Sequence, residues 1–149
     1  MNYKVILLVE DNSSDIELTR RALEKSSITN KMVVAEDGKE ALDYLFGTGT
    51  YAGRDIKDMP TVVLLDLKLP RIDGLGVLQA MRSNELTKLI PVVILTSSDA
   101  EQDVINGYKL GANSYIRKPV DFVRFSEAIW QVGLYWLIIN EPPPKPGSV

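Results

Sequence analysis

Short apolar runs alternate with amphipathic segments along most of this chain. The longest of these runs are apolar nearly throughout, which is typical of strands buried on both faces of a parallel sheet. The predicted strands are Lys4–Val9, Met32–Glu36, Thr61–Leu67, Pro91–Leu95 and Ser114–Arg117. Apolar residues recur at helical spacing between them, so strands and helices alternate. The pattern predicts an α/β fold, a flavodoxin-like doubly wound sheet of five parallel strands in the order 2-1-3-4-5.

Local sequence signals indicate where the first helix begins and where the last one ends. Ser14 and Glu17 form a capping-box pattern at the start of the first helix. An extended C-terminal helix is predicted over 121–140, and the ending EPPPKPGSV supplies prolines that cannot continue it. We therefore expect one domain over 1–140 and a proline-rich tail over 141–149.

The composition excludes several classes of function. The 149 residues include no cysteine and no histidine, which excludes disulfides, thiolate catalysis and the usual transition-metal ligands. A net charge of -3 gives no broad attraction to nucleic acid or to an anionic membrane. The longest apolar stretch, Val132–Ile139, is much shorter than the roughly 20 residues of a transmembrane helix. The N-terminus has no signal-peptide pattern, so we expect a cytoplasmic protein with no nucleic-acid or membrane partner.

Three acidic residues follow predicted strands that are neighbours in this fold. Glu10 and Asp11 come directly after the first strand, and Asp66 lies near the end of the third. Ligands of open α/β sheets bind at the carboxyl ends of the strands, so these carboxylates should meet in one crevice. Clustered carboxylates repel one another unless a cation binds, and oxygen ligands without histidine or cysteine favour Mg²⁺. The alternative for Glu10 and Asp11 is helix capping, whereas a buried Asp66 without partners would be costly.

A hydroxyl and an amine are predicted at the same edge of the sheet. Thr96 ends the fourth strand, and Lys118 follows the fifth. Alone, the threonine would be explained by β propensity and the lysine by a solvated surface. Together with the carboxylates they provide a nucleophile, a metal site and donors for developing negative charge. Phosphoryl transfer to a carboxylate requires this set of groups.

This set of residues resembles the receiver domain of bacterial response regulators. The resemblance runs from about Lys4 to Asn140, and the matching positions are Glu10-Asp11, Asp66, Thr96 and Lys118-Pro119. It implies that the acidic pair and Asp66 bind Mg²⁺ and that Asp66 is phosphorylated by a histidine kinase. It also implies that Thr96 and Lys118 hold the phosphoryl oxygens.

The same resemblance implies three further features. Lys68, two residues after Asp66, would lend its backbone carbonyl to the metal. Tyr115 matches the aromatic residue that changes rotamer on activation, and the alternative is a half-buried aromatic residue of an ordinary strand. The Lys118–Pro119 peptide bond would be cis.

A long loop over 47–59 and the ending YWLIINEPPP give a narrower resemblance. They are similar to single-domain response regulators that are paired with bacterial or cyanobacterial phytochrome kinases. Such a protein is not an enzyme, because it catalyses only its own phosphorylation and dephosphorylation and signals to a downstream partner that the sequence does not name. The alternative is a degenerate receiver that acts as a phosphate-independent interaction module. A phosphohydrolase of the haloacid dehalogenase type would need a second aspartate where this chain has Lys68, and no phosphate-binding glycine loop is present.

The last predicted helix has more apolar surface than one sheet can cover. A stripe that docks the helix on the sheet consists of Phe122, Phe125, Ile129, Val132, Trp136 and Ile139. A second stripe ends in Trp130, Leu134 and Leu137. We expect the second stripe to form a homodimer, and the alternative is that the 47–59 loop or the proline tail covers it.

Overall fold

The computed structural model describes residues 4–25 and 30–144, and these residues form one parallel sheet with helices on both faces. The strands are β1 (Lys4–Val9), β2 (Asn30–Ala35), β3 (Val62–Leu65), β4 (Val92–Thr96) and β5 (Ser114–Arg117). They pair in parallel in the order β2-β1-β3-β4-β5, which confirms the predicted fold class and strand order. Continuous burial of β1, β3 and β4 agrees with their unbroken apolar sequences.

In the described part of the chain, five α-helices connect and flank the strands. They are α1 (Ser13–Glu24), α2 (Gly38–Phe46), α3 (Gly74–Arg82), α4 (Glu101–Lys109) and α5 (Phe122–Gly133). The side chains of α2 and α3 join the core on one face of the sheet, whereas those of α1 and α5 join the core on the other. Successive residues of β1 point to opposite faces, so that Leu7 belongs to the first core and Ile6 and Leu8 to the second.

The first helix begins differently from the predicted capping box. Its N-cap is Asn12, whose side-chain Oδ1 accepts a hydrogen bond of 2.9 Å from the backbone N–H of Asp15. Ser14 lies inside the first turn. The chain offers Asn12, Ser13 and Ser14 in succession, and all three residue types are good N-caps. The predicted Ser14–Glu17 box is therefore wrong by two residues.

Two helices begin so close to neighbouring backbone that they require glycine at their first position. A Cβ atom on Gly74 would lie 2.2 Å from the backbone carbonyl oxygen of Asp66. A Cβ atom on Gly38 would lie 1.9 Å from the carbonyl oxygen of Ile72. Glycine thus brings the N-terminal end of α3 into contact with the backbone at the end of β3.

The C-terminal helix is extended as predicted, but its last part is not α-helical. Residues Leu134–Ile139 form a π-helix, and the backbone N–H of Asn140 donates to the carbonyl of Tyr135 in the i→i+5 pattern. This pattern turns Leu137 into the core, where it is 0% exposed, and leaves Ile139 62% exposed. The prediction that Leu137 belongs to a dimer surface and Ile139 to the core is therefore wrong.

The 47–59 loop and the described part of the tail pack against regions of the protein other than the second apolar stripe of the last helix. Arg54 of the loop donates to the carbonyls of Tyr44 and Leu45 in α2, and its guanidinium lies 4.1 Å from the centre of the Tyr44 ring. Pro142–Pro144 line a cavity of about 140 Å³ with Met59 and Leu89, at the edge of the sheet where β3 and β4 begin. Residues 145–149 of the predicted tail lie outside the described residues.

The second stripe is thus left partly exposed by the described residues. The Trp130 side chain is 46% exposed, and Leu134 is half-buried. Within 4–25 and 30–144, no helix combines the length and the apolar character that a membrane span requires.

Candidate functional site

The acidic residues lie where the strands end because the sheet hydrogen bonding continues one residue past β1 and β3. The backbone N–H of Glu10 donates to the carbonyl of Ala35 over 2.9 Å. The backbone N–H of Asp66 donates to the carbonyl of Val9 over 3.0 Å. Both residues are thereby fixed at the carboxyl edge of neighbouring strands, as the strand order requires.

Three carboxylates meet at this edge and could hold a cation. One carboxylate oxygen from each of Glu10, Asp11 and Asp66 lies within 4.8 Å of the other two. Glu10 is 1% exposed and Asp66 is 8% exposed, whereas Asp11 faces solvent. Three hard oxygen donors, two of them buried and one open to solvent, fit Mg²⁺ or a similar divalent cation. The three predicted metal ligands with carboxylate side chains are therefore together.

Lys118 lies against the same carboxylates. Its Nζ atom donates to Glu10 Oε1 over 2.5 Å, to Asp66 Oδ2 over 3.2 Å and to Asp15 Oδ2 over 2.8 Å. The three hydrogens of the ammonium are thus used on three different carboxylates. The Lys118 side chain is only 10% exposed, so its charge stays paired inside the site.

The charges of the site change the acidity of its groups in a consistent way. Burial raises the pKa of Glu10 from 4.5 to about 7, and the hydrogen bond and charge of Lys118 offset part of this effect. Burial by itself would lower the pKa of Lys118, but hydrogen bonds to Asp15 and Glu10 outweigh it and raise that pKa. The lysine is therefore a permanent cation, and the charge of Asp66 contributes to the raised pKa of Glu10.

The carboxylate of Asp66 is oriented through both of its oxygens. Oδ1 accepts hydrogen bonds from the backbone N–H of Leu67 at 2.7 Å and of Lys68 at 3.5 Å, while Oδ2 faces Lys118. Lys68 thus contacts the aspartate through its N–H, and the metal-binding role of its carbonyl stays a prediction. The described peptide bonds are all trans, so the expected cis bond between Lys118 and Pro119 is not found. The cis and trans isomers of this bond are close in energy because the residue after Lys118 is a proline.

Thr96 and Tyr115 lie on the two strands beyond Asp66. Thr96 is completely buried at the end of β4, and its carbonyl accepts a 2.7 Å hydrogen bond from the backbone N–H of Lys118. Tyr115 is half-buried on β5, and its hydroxyl donates to the carbonyl of Ser98 over 2.9 Å. The ring packs under α4 at Gly107, where a Cβ atom would lie 3.4 Å from a ring carbon. Tyr115 thus connects β5 with the β4–α4 loop.

Two polar contacts of the site were not predicted from the sequence. Asp15 was not distinguished from other acids in a first helical turn, although it binds Lys118. The hydroxyl of Ser98 donates to Asp103 Oδ2 over 2.5 Å and ties the β4–α4 loop to α4. No sequence signal indicates the first contact, because its partners are 103 positions apart. The second is a local Ser-x-x-x-x-Asp spacing at a helix start, which sequence reasoning could have considered.

Comparison with known proteins identifies the family. Residues 6–130 match the family described as "Response regulator receiver domain". The chain is 39% identical over 139 residues to the "Probable methanogenesis regulatory protein FilR2" of Methanothrix harundinacea, which covers 93% of this chain and 87% of that protein.

Two solved structures are similar over nearly their whole lengths. The first is the phosphorylated cyanobacterial phytochrome response regulator RcpA, with a TM-score of 0.90, 37% identity and coverage of 96% of this chain and 100% of that one. The second is the bacteriophytochrome response regulator AtBRR, with 52% identity, a TM-score of 0.74 and coverage of 95% and 100%. The similarity thus extends beyond the shared fold to sequence.

Proposed function

Because this chain belongs to the receiver domain family of response regulators, we propose that it accepts a phosphoryl group on Asp66 from a histidine kinase. The observation that carries the proposal is the environment of Asp66, which combines two neighbouring carboxylates with the buried cation Lys118. The similarity to RcpA and AtBRR supports a role in phytochrome-type light signalling. It acts in the cytoplasm, where a kinase phosphodonor would meet it.

The reaction is an exchange of one bond to phosphorus for another. A carboxylate oxygen of Asp66 attacks the phosphorus of a phosphohistidine, a P–O bond forms, and the P–N bond to the donor imidazole breaks. The chain has no histidine, so the donor belongs to another protein or is a small phosphodonor. The backbone N–H groups of Leu67 and Lys68 hold Oδ1, which fixes the plane of the attacking carboxylate. The product is an acyl phosphate on the chain itself, and no separate substrate is turned over.

Different residues of the site would stabilise the negative charge of the carboxylates and of the transferred phosphoryl group. Glu10, Asp11 and Asp66 would hold Mg²⁺, with the backbone carbonyl of Lys68 as a further ligand. Bound Mg²⁺ would neutralise carboxylate charge and polarise the phosphoryl oxygens. Lys118 already lies 3.2 Å from Asp66 Oδ2, so its ammonium can donate to a phosphoryl oxygen with little movement.

Thr96 and Tyr115 provide the readout in this proposal. The buried Thr96 hydroxyl would turn to a phosphoryl oxygen and leave space that the Tyr115 ring can enter. That movement would break the hydrogen bond from the Tyr115 hydroxyl to the Ser98 carbonyl, which ties β5 to the β4–α4 loop. Loss of this contact would change the α4 surface that a downstream protein reads.

Replacement of the acceptor tests the proposed reaction. Asp66→Asn should take up no phosphate from acetyl phosphate and Mg²⁺, because the amide is not a nucleophile and keeps nearly the same shape. Asp99→Asn is the matched control, since Asp99 is an exposed aspartate at the same end of the sheet that pairs with Arg117. Uptake by Asp66→Asn at the normal rate would refute the acceptor assignment. A wild-type chain that takes up no phosphate would instead be a phosphate-independent interaction module.

We also propose a homodimer through the last helix, with a different surface from the one that the sequence predicts. Leu137 is buried, so the exposed residues Trp130 and Ile138 and the half-buried Leu134 are the candidates. Replacing Leu134 and Ile138 with lysine should give a folded monomer by analytical ultracentrifugation. A wild-type chain that sediments as a monomer at high micromolar concentration, with and without phosphate, would exclude the dimer.

The receiver unit in this proposal is 1–140, and 141–149 is an appended tail.

A further inference from the structure

Two side-chain hydrogen bonds fix the backbone of Asp15 in the first turn of α1. Its backbone N–H donates to the side chain of Asn12 over 2.9 Å. Its carbonyl accepts a hydrogen bond of 2.7 Å from the hydroxyl of Thr19, which is 1% exposed. With the backbone fixed at both ends, the side chain reaches into the phosphorylation site and accepts from Lys118 Nζ over 2.8 Å.

Asp15 differs from the two other partners of Lys118 in one respect. Glu10 and Asp66 belong to the group of carboxylates that could hold a metal ion, together with Asp11. Asp15 does not belong to that group in the described part of the chain. It is therefore the one carboxylate on Lys118 that a bound cation would leave available.

A divalent cation and Lys118 would compete for the same two carboxylates. Glu10 and Asp66 accept hydrogen bonds from Lys118 at 2.5 and 3.2 Å. A cation bound to them would take up their charge and repel the ammonium, which would then need another acceptor. Asp15 is already hydrogen-bonded to Lys118, and its side chain is more exposed than that of Glu10.

We propose that Asp15 is a positioning residue that retains Lys118 at the edge of the site when a divalent cation occupies Glu10 and Asp66. In that position Lys118 no longer competes with the cation but stays close enough to reach a phosphoryl group on Asp66. Asp15 thereby favours metal binding without being a ligand. The inference rests on the proposed function, because it assumes that the acidic cluster binds Mg²⁺.

A double-mutant cycle with Lys118 separates this role from a plain effect of charge. Asp15→Asn should weaken Mg²⁺ binding about tenfold by calorimetric titration, since Lys118 would then remain on Glu10 and Asp66. In the Lys118→Met background the same change should weaken binding by about threefold or less, because only the through-space charge of Asp15 is lost. The titrations are carried out at about 0.5 M salt, which shortens the range of that charge effect. Equal losses in the two backgrounds would overturn the inference.

Two matched variants on α1 complete the test. Glu17→Gln removes the same charge from an exposed residue that pairs with Arg20 and Arg21, and it should change the Mg²⁺ affinity less than about twofold. Asp15→Glu keeps the carboxylate and should retain most of the affinity. A loss for Glu17→Gln as large as that for Asp15→Asn, or no rescue by Asp15→Glu, would also count against the role of Asp15.

NMR of the lysine ammonium in the wild-type protein provides a readout that does not need a folded variant. The Lys118 ammonium signal should stay protected from exchange when Mg²⁺ is saturating, because Asp15 still accepts from it. Loss of that protection on Mg²⁺ addition would overturn the inference. Failure of the proposed function would give a different result. The wild-type chain would then bind no Mg²⁺ in the calorimetric titration, whatever residue stands at position 15.

Discussion

Glu10→Gln should stabilise the metal-free protein at neutral and alkaline pH, although Glu10 is a residue of the functional site. The Glu10 carboxylate is 1% exposed, and its burial raises its pKa from 4.5 to about 7. In the unfolded chain this carboxylate is solvated and titrates at its ordinary value. The folded state therefore binds a proton at a higher pH than the unfolded state does.

The direction of the pH dependence follows from this difference. Where the folded state binds more protons, stability falls as the pH rises, so Glu10 destabilises the fold progressively between about pH 4.5 and pH 7. Each pKa unit corresponds to about 1.4 kcal/mol, which gives a ceiling of about 3 kcal/mol above pH 7. We expect about 1–2 kcal/mol, because a buried site relaxes and admits water. A neutral glutamine removes this cost, and for a chain of this length the melting temperature should rise by about 3–6 °C.

Thermal and urea denaturation in the presence of a chelator, from pH 5 to pH 8, would measure the effect. The advantage of Glu10→Gln should be full at pH 8 and much smaller at pH 5, where the carboxyl is protonated in the folded state and only partly ionised in the unfolded chain. Exposed Glu17 provides the control for the loss of one negative charge. A variant that is less stable than the wild type at pH 8, or an advantage that is the same at both pH values, would refute the reasoning. Mg²⁺ at ten times its Kd stabilises a protein by about 1.4 kcal/mol, and Glu10→Gln should gain less than this at the same concentration.

Four further substitutions test the packing of the fold, each by denaturation of the purified variant. Leu137→Ala should lower the free energy of unfolding by about 2–5 kcal/mol, because Leu137 is fully buried. Ile138→Ala should lower it by less than about 1 kcal/mol, because Ile138 is 56% exposed. Equal losses would contradict the π-helical register. Gly74→Ala should destabilise by about 1–3 kcal/mol and slow phosphorylation, since its Cβ would lie 2.2 Å from the Asp66 carbonyl oxygen; an unchanged rate and stability would contradict that contact. Arg82→Met should lower the free energy of unfolding by at least about 2 kcal/mol, because the guanidinium donates to the carbonyls of Ile90 and Gly111 in the loops before β4 and β5. A smaller loss would mean that water replaces the guanidinium at these carbonyls.

The fold and the central carboxylates could be predicted from the sequence because both depend on local patterns. Unbroken apolar runs indicate parallel strands, and the strand order then decides which strand ends are neighbours. Glu10 and Asp66 each come one residue after a strand, so the topology alone brings them together. No knowledge of side-chain conformation is needed for that step.

Asp15 could not be predicted because its role depends on a contact between distant segments. In the sequence it is an acid in the first turn of a helix, a position where acids are favoured by the helix dipole alone. Its partner Lys118 lies 103 positions later on the loop after β5. Only the distance between α1 and the end of β5 in the folded chain shows that the two side chains meet.

The prediction of which residues in the last helix face the core was wrong for a different reason. A hydrophobic pattern identifies the buried face of a helix only where polar residues mark the other faces. From Leu134 to Ile139 all six residues are apolar, so several helical faces are equally suited to the core and periodicity cannot choose between them. Backbone hydrogen bonding then decides, and the i→i+5 pattern places Leu137 five residues after the buried Val132. Lys4 supports this arrangement, since its ammonium donates to the Leu137 carbonyl over 2.5 Å. The surface that remains for a partner is therefore fixed by the backbone and not by the order of apolar side chains.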